Sequence, residues 1–450
     1  MPSPARVAAY HALRAVAERR TDLPAALALS RRQLTDERDR ALTAEIVTGT
    51  ERWRRSLDVL VEHFARRSLA TIDGDVLHIL RLSLYQLLHL DRVPASAVVN
   101  DAVDLARYAH RPGAAGFVNA VLRATLRDRS RLPLPARPES TSDRAGALRY
   151  LGITHSHPEW LVARWFDRYG FDATERWVRF NNETPRLTLR VNTLRAGRED
   201  VAAALARDGV ETEPTRHAPD GLIVISGNPL RTPSAGLYFV QDQASQLISH
   251  AVAAHAGERV LDLCASPGGK TVAMADDMRD TGLLIACDVR SRRVGLLSQT
   301  VRASGARRTR LVRLSTSGPL PFHPLFDRVL VDAPCSGLGT IRRDPDIRWR
   351  RQEHDLQVFA SEQIAILHRA AAVVRTGGRL VYATCSSEPE ENEAVIESFL
   401  SQHPDFAAID LRHEQSPVLA PLLDARGMLR TLPFAHGLEA FFAAALERRV

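Results

Sequence analysis

From about residue 258 onwards the chain alternates short β-rich runs with helix-compatible stretches: "RVLDLC", "GLLIACDV", "RTRLVRL", "FDRVLVDA" and "GRLVYATC". Short, almost continuously apolar runs of this kind suit strands buried on both faces. Strands joined through helices lie parallel, and their crossovers are right-handed. The rhythm therefore predicts a doubly wound, mostly parallel α/β sheet of Rossmann type over residues 251–450. In such sheets ligands bind beyond the carboxyl ends of the strands. The chemistry-bearing side chains sit there: Cys264, Asp288, Asp332 with Cys335, and Cys385.

The chain of 450 residues is too long for one core, so the sheet accounts for only part of it. Residues 1–135 space their apolar side chains by three and four in "VAAYHALRAV", "LDVLVEHFA", "VLHILRLSLYQLLHL" and "AVVNDAVDLARYA", which predicts an all-α domain. A Pro-, Ser- and Arg-rich stretch over 136–150 reads as a linker. Over 151–250, helical "PEWLVARWFDRYG" and "REDVAAALARDGV" interleave with strand-like "RLTLRVNT" and "GLIVIS", predicting a small α+β module.

Charge points to a polyanionic partner. The net charge is +7, and residues 1–135 carry 21 arginines against 15 acidic residues, so most of the excess lies in the helical third. Arginines also follow two strand ends: Arg290, Arg292 and Arg293, then Arg342, Arg343, Arg348, Arg350 and Arg351. Solvated loops account for any one of them; together they suit phosphate contacts. Lys270 is the single lysine in the protein. Genome composition accounts for a preference for arginine, so the surviving lysine is what needs a reason.

No apolar run is long enough for a membrane span, and the first twenty residues are broken by Arg, Glu and His in a way that does not suit a signal peptide. The expected location is the cytoplasm. Cys264, Cys287, Cys335 and Cys385 are too sparse for a disulfide scaffold and form no Cys-x-x-Cys pair, so no metal site is expected. In a reducing compartment these thiols stay free and would act as thiolates.

"LDLCASPGGKT" places Gly268 and Gly269 after a strand and at the start of a helix, where the backbone can approach a ligand and free N–H groups point outwards. The spacing matches neither Gly-x-Gly-x-x-Gly nor the P-loop, which argues against a dinucleotide or a nucleoside triphosphate. Roughly twenty residues on, the next strand ends in Asp288, placed for a ribose diol. An adenosine ligand with few or no phosphates, such as S-adenosylmethionine, fits this pattern; a purely structural tight turn is the alternative.

Cys335 and Cys385 each follow a core strand, and neighbouring parallel strands would bring both thiols to one rim of the sheet. A free cysteine is more often buried filler than a nucleophile. Two in polar turns beside a cofactor cleft shift that balance. C5 of cytosine becomes nucleophilic only after a thiolate adds to C6, and a carboxyl group such as Asp332 can stabilise the charge that builds on the ring. The residues alone leave open which thiol attacks.

The runs "CASPGGKT", "DAPCSGLGTIRRDPDIRW" and "YATCSSEPEENE" resemble the motifs of RNA cytosine-C5 methyltransferases. "VTGTERWRRSLD", "LRLSLYQLLHLDRVPASAVVNDAVDLA" and "GFVNAVLR" resemble the helical RNA-binding domain of the antitermination factor NusB. The fusion, with "SHPEWLVARWFDRYG" and "RLTLRVN" between, is similar to the bacterial 16S rRNA cytosine-C5 methyltransferases of the Sun or Fmu type. The resemblance implies a monomer that takes S-adenosylmethionine and methylates an exposed 16S rRNA loop, at the cytosine numbered 967. It implies that Cys385 attacks and that Cys335 helps to release product, the reverse of the DNA enzymes, in which the Pro-Cys cysteine attacks. By the same carry-over Cys264, Ala265, Ser266, Pro267, Gly268, Gly269 and Lys270 would line the cofactor, Asp288 would hold its ribose, and Asp332 would lie between cofactor and base, with Lys270 in the catalytic set.

The pattern departs from the family in three places. Ser315 stands where an acid near the adenine is common, Ser266 where Ala is usual, and Glu439–Ala440 where Asp-Gly is usual, in what reads as the last strand. Two other readings remain at this point: a tRNA cytosine-C5 methyltransferase, and a non-catalytic RNA-binding assembly factor that keeps the fold as scaffold.

Overall fold

A computed structural model describes residues 1–232 and 236–449. They form two compact units, one made of residues 1–183 with 341–351, the other of 184–340 with 352–450.

The first unit is helical. Its helices Pro4–Ala17, Glu37–Arg52, Arg54–Ala65, Ala95–Tyr108 and Ala115–Arg127 pack apolar side chains around Gly74–His89, which is buried at every position from Ile79 to Leu87, in a shared core with Tyr10, Ile46, Leu57, Leu80 and Leu122. Helix Gly74–His89 starts where Asp73 accepts hydrogen bonds from the amides of Asp75 and Val76, so the N-cap is written in the sequence. Helix Arg144–Arg149 lies at the end of the stretch read as a linker, and the long helix Glu159–Asn182 breaks at Gly170, with φ of 76°, a conformation glycine adopts freely.

Segment 341–351, which follows the Pro-Cys turn in sequence, belongs to this helical unit. Trp349 Nε1 donates to the Glu51 carbonyl at 2.7 Å, and Asp346 accepts from the Leu23 amide at 3.2 Å. Arg348 has no exposed surface; its guanidinium donates to the Ser156 carbonyl at 2.8 Å, to Asn182 Oδ1 at 3.1 Å and to the Asn181 carbonyl at 3.4 Å. Burial holds it well below the usual arginine range. Arg348 therefore does not meet phosphate, which corrects the expectation for that residue: backbone carbonyls, not solvent, surround it. Arg342 packs its guanidinium over Phe180, 4.3 Å from the ring centroid. Arg290, Arg292 and Arg293 are exposed, as phosphate contacts require.

The second unit holds two sheets. Strands β1 (Thr188–Val191), β2 (Glu211–Pro214), β3 (Gly221–Ser226) and β4 (Tyr238–Val240) make an antiparallel sheet in the order β2-β3-β1-β4, with helix Arg198–Arg207 packed on it. The larger sheet contains β5 (Arg259–Asp262), β6 (Leu283–Asp288), β7 (Thr309–Arg313), β8 (Phe326–Asp332), β9 (Val374–Thr384), β10 (Phe406–Ile409), β11 (Leu429–Thr431) and β12 (Phe441–Arg448). Its order is β10-β12-β9-β8-β5-β6-β7, with β11 beside β12. The pairs β5–β6, β6–β7, β5–β8 and β8–β9 are parallel, as the strand–helix rhythm requires, and β12 enters antiparallel to β9. The chain runs outwards from β5 through β6 to β7 and then returns to place β8 on the other side of β5. That reversal is where open α/β sheets bind their ligands.

Candidate active site

The turn after β5 is shaped by two buried groups. Asp262 ends the strand with no exposed surface and accepts from Thr271 Oγ1 at 2.6 Å, which ties the strand to the helix Gly269–Asp277. Burial pushes its carboxyl up to about 7. Gly268 has φ of 112°, a conformation that L side chains rarely adopt, and a Cβ there would also crowd Leu297 at 3.0 Å and Thr300 at 3.1 Å. Ser266 donates to the Arg293 carbonyl at 3.0 Å, anchoring the turn to the helix after β6.

Beside this turn a cavity of about 380 Å³ opens at the carboxyl ends of β5 to β8, lined by Leu263, Cys264, Val289, Leu314, Pro334 and Ile366 among others. It is an apolar slot with a buried acid, Asp288, on an adjacent strand end. Asp288 Oδ1 accepts from the Arg290 amide at 3.1 Å, so its own loop holds it in place. The dimensions and lining suit an adenine ring, with Asp288 for the ribose. Cys264 lines the slot as a thiol: burial pushes it up, with Asp262, Asp332 and Asp288 adding to the effect. Ser315 is exposed, and its carbonyl accepts from Arg369 at 3.1 Å; its neighbour Thr316 lines the slot instead.

Lys270 Nζ lies 2.7 Å from Asp332 Oδ2, with the lysine side chain 13% exposed. The ammonium also lies 5.6 Å from the ring centroid of Phe441. Burial works against its charge, but Asp332, with smaller contributions from Cys385 and Asp262, raises its pKa overall, so it stays protonated.

The two cysteines meet. Cys335 Sγ and Cys385 Sγ are 3.2 Å apart, both as free thiols. The hydrogen bond with Cys385, then burial, push the Cys335 thiol well up, and the charge of Glu391 adds to this. The backbone fixes the approach. The Ala333 amide donates to the Ala383 carbonyl at 2.8 Å, continuing the β8–β9 ladder, and the Gly339 amide donates to the Cys385 carbonyl at 2.9 Å. A Cβ on Gly339 would stand 1.9 Å from the Ala440 carbonyl oxygen, so only glycine lets the loop close on the cysteine turn.

The sequence reading passed over the polar hub beneath the thiols. Glu391, fully buried, accepts from the Ser336 amide at 2.7 Å, from the hydroxyls of Ser336 and Ser386 at 2.5 Å each, and from Gln363 Nε2 at 3.1 Å. The signal was present in "CSSEPEEN", where serine and acid crowd a turn that follows an apolar strand. Asp262 and Gly339 likewise lie within "LDLCASPGGKT" and "DAPCSGLGT", where nothing local distinguishes them from their neighbours.

Comparison with known proteins matches three stretches of the chain. Residues 249–447 match the family described as 16S rRNA methyltransferase RsmB/F, residues 3–127 the NusB family, and residues 157–231 the ferredoxin-like domain of RsmF/B-like methyltransferases. The chain is 34% identical, over 93% of its length and 92% of the relative's, to a probable ribosomal RNA small subunit methyltransferase B of Bacillus subtilis. It is 33% identical, over 91% of its length and 92% of the relative's, to the ribosomal RNA small subunit methyltransferase B of Pseudomonas putida. The crystal structure of PH0851 is similar across 99% of both chains, with a TM-score of 0.81 and 28% identity.

Proposed function

Because the chain belongs to the ribosomal RNA small subunit methyltransferase B family, whose enzymes use S-adenosylmethionine, we propose that it methylates C5 of a 16S rRNA cytosine, the one numbered 967, through a covalent bond from Cys385 to C6. Bound S-adenosylmethionine supplies an electrophilic methyl group. Leu263, Cys264, Val289 and Leu314 would hold its adenine, Asp288 its ribose, and the turn Ala265–Lys270 its methionine end.

The observation that carries this reading is the thiol pair. The two sulfurs lie 3.2 Å apart, that contact and burial push the Cys335 thiol well up, and the charge of Lys270 reaches Cys385. A sulfur beside a cation is suited to attack, and the family resemblance gives that role to Cys385. Cys385 adds to C6 and the C5–C6 π pair shifts into the ring, while the thiol's proton passes to N3 by way of Asp332, which Lys270 holds in place, so that no net charge builds on the base. After methylation a base takes the C5 proton, the C6–S bond breaks, and its electron pair returns to Cys385. Cys335 meets the departing sulfur with a hydrogen bond, which eases release. The target base must leave its stack to reach these thiols, so an exposed rRNA loop is the natural substrate.

Arg290, Arg292 and Arg293, exposed after β6, would carry phosphate contacts. Among the described residues no helix is long and apolar enough to cross a membrane. We place the protein in the cytoplasm as a monomer acting on small-subunit rRNA. Labelled methyl groups should pass from S-adenosylmethionine to unmodified 16S rRNA at a single cytosine, and absence of incorporation into that RNA would sink the reading.

A further inference from the structure

Burying a carboxylate is costly unless donors surround it. Glu391 has four: three come from the two cysteine turns and the fourth from Gln363 on the helix Asp355–Ala371. Ser336 directly follows Cys335 and Ser386 directly follows Cys385. One oxygen, Oε2, takes both hydroxyls at 2.5 Å, and those hydroxyls lie 3.3 Å from each other. The other, Oε1, takes the Ser336 amide and Gln363. The backbone behind the carboxylate is also fixed, since the Tyr382 hydroxyl donates to the Glu391 carbonyl at 2.5 Å and reaches Gln363 Oε1 at 2.9 Å. Charge-assisted hydrogen bonds to an ionised acceptor are short and directional, so this one group sets the distance between two turns that approach it from different strands.

We propose that Glu391 is a positioning residue: its buried carboxylate clamps the Cys335 turn to the Cys385 turn and so holds the two sulfurs at contact distance. This rests on the two-thiol reading above and deepens it. A thiol pair at contact can be bridged by one trivalent arsenic, each sulfur losing its proton and the oxygen of phenylarsine oxide leaving as water. That reaction reads the sulfur geometry without RNA or methyl transfer.

The test uses the full-length Glu391→Ala, Glu391→Gln and Ser386→Ala proteins. Ser386→Ala removes the link from the carboxylate to the Cys385 turn, along with the contacts of that hydroxyl to the Glu388 amide and the Ser336 hydroxyl, and decides the matter if Glu391→Ala does not fold. With S-adenosylmethionine affinity and KM held, both truncations should weaken phenylarsine oxide binding about tenfold and slow single-turnover methylation about 100-fold, the cost of misplacing reacting groups by about an ångström. Glu391→Gln keeps an oxygen for the Ser336 amide, and its NH₂ meets hydroxyls that can rotate to accept, so it should recover to within about tenfold of the native rate. Truncations that bind the arsenical and methylate like the native protein would overturn the clamp, as would a Glu391→Gln protein as slow as Glu391→Ala. Should the native protein methylate no RNA, the functional reading falls, while the arsenical comparison still decides the clamp.

Discussion

Cys335 and Cys385 are separated by 50 residues in sequence and by 3.2 Å between their sulfurs. Adjacent parallel strands β8 and β9 bring them together, and the contact with Cys385, with burial, pushes the Cys335 thiol well up.

The proposed roles of the two thiols assign opposite fates to two alanine variants. Cys335→Ala should accumulate a protein–RNA adduct stable to denaturing gel electrophoresis, because the departing sulfur loses its hydrogen-bond donor. Cys385→Ala should form none and transfer no methyl groups. The reverse pattern would exchange the two roles.

Lys270 should resist even conservative change. Lys270→Met removes the counter-charge of Asp332 and is expected to lower the methylation rate about 100-fold or more, the scale seen when one electrostatic contact to a developing charge is lost. Lys270→Arg keeps the charge but must fit a planar fork beside Phe441, and a loss of about tenfold is expected. Full turnover of the arginine protein would make the single lysine an accident of composition.

The carboxyl of Asp262, pushed up to about 7 by burial, makes stability depend on pH. A folded-state value above the unfolded one means that the stability is present below about pH 4 and is lost as pH rises through about 7. Asp262→Asn keeps an acceptor for Thr271 and removes this dependence. Between pH 5 and pH 8 the unfolding free energy of the native protein should fall relative to the variant by about 2–3 kcal/mol, measurable by urea melts at the two pH values.

Two arginines from the sequence runs should behave oppositely with salt. Arg292→Ala, at an exposed position, should lower the slope of log affinity for rRNA against log salt by about one. Arg348→Ala should leave the slope alone and cost about 3 kcal/mol or more of stability, because it opens a cavity and strands buried carbonyls.

What was legible follows from which forces are local. Strands buried on both faces announce themselves as apolar runs, and the handedness of their crossovers leaves few topologies, so the rims carrying Cys335, Cys385 and Asp332 were readable. The Gly-Gly turn was readable because backbone conformation selects residue type. Side-chain networks were not: nothing local says that Glu388 and Glu391 turn fully inwards while Glu390 and Glu393 do not, or that Glu391 is the one that meets both cysteine turns. Arg348 misled for the same reason, because an arginine beside other arginines reads as solvated, and only distant carbonyls at Ser156 and Asn181 make burial affordable. Ser315 occupies the expected sequence position, but its loop leaves Thr316 to face the slot.

The membership of residues 341–351 in the helical unit has a consequence for biosynthesis. Trp349 and its partner Glu51 are 298 residues apart. As the chain leaves the ribosome, residues 1–183 are complete well before the segment that satisfies the carbonyls of Ser156 and Asn181 has been translated. Until then those groups are served by water, and the helical unit waits on the Pro-Cys turn to be made before it closes. An enzyme assembled this way completes its helical unit only once strands β5–β8, half of its larger sheet, have been synthesised.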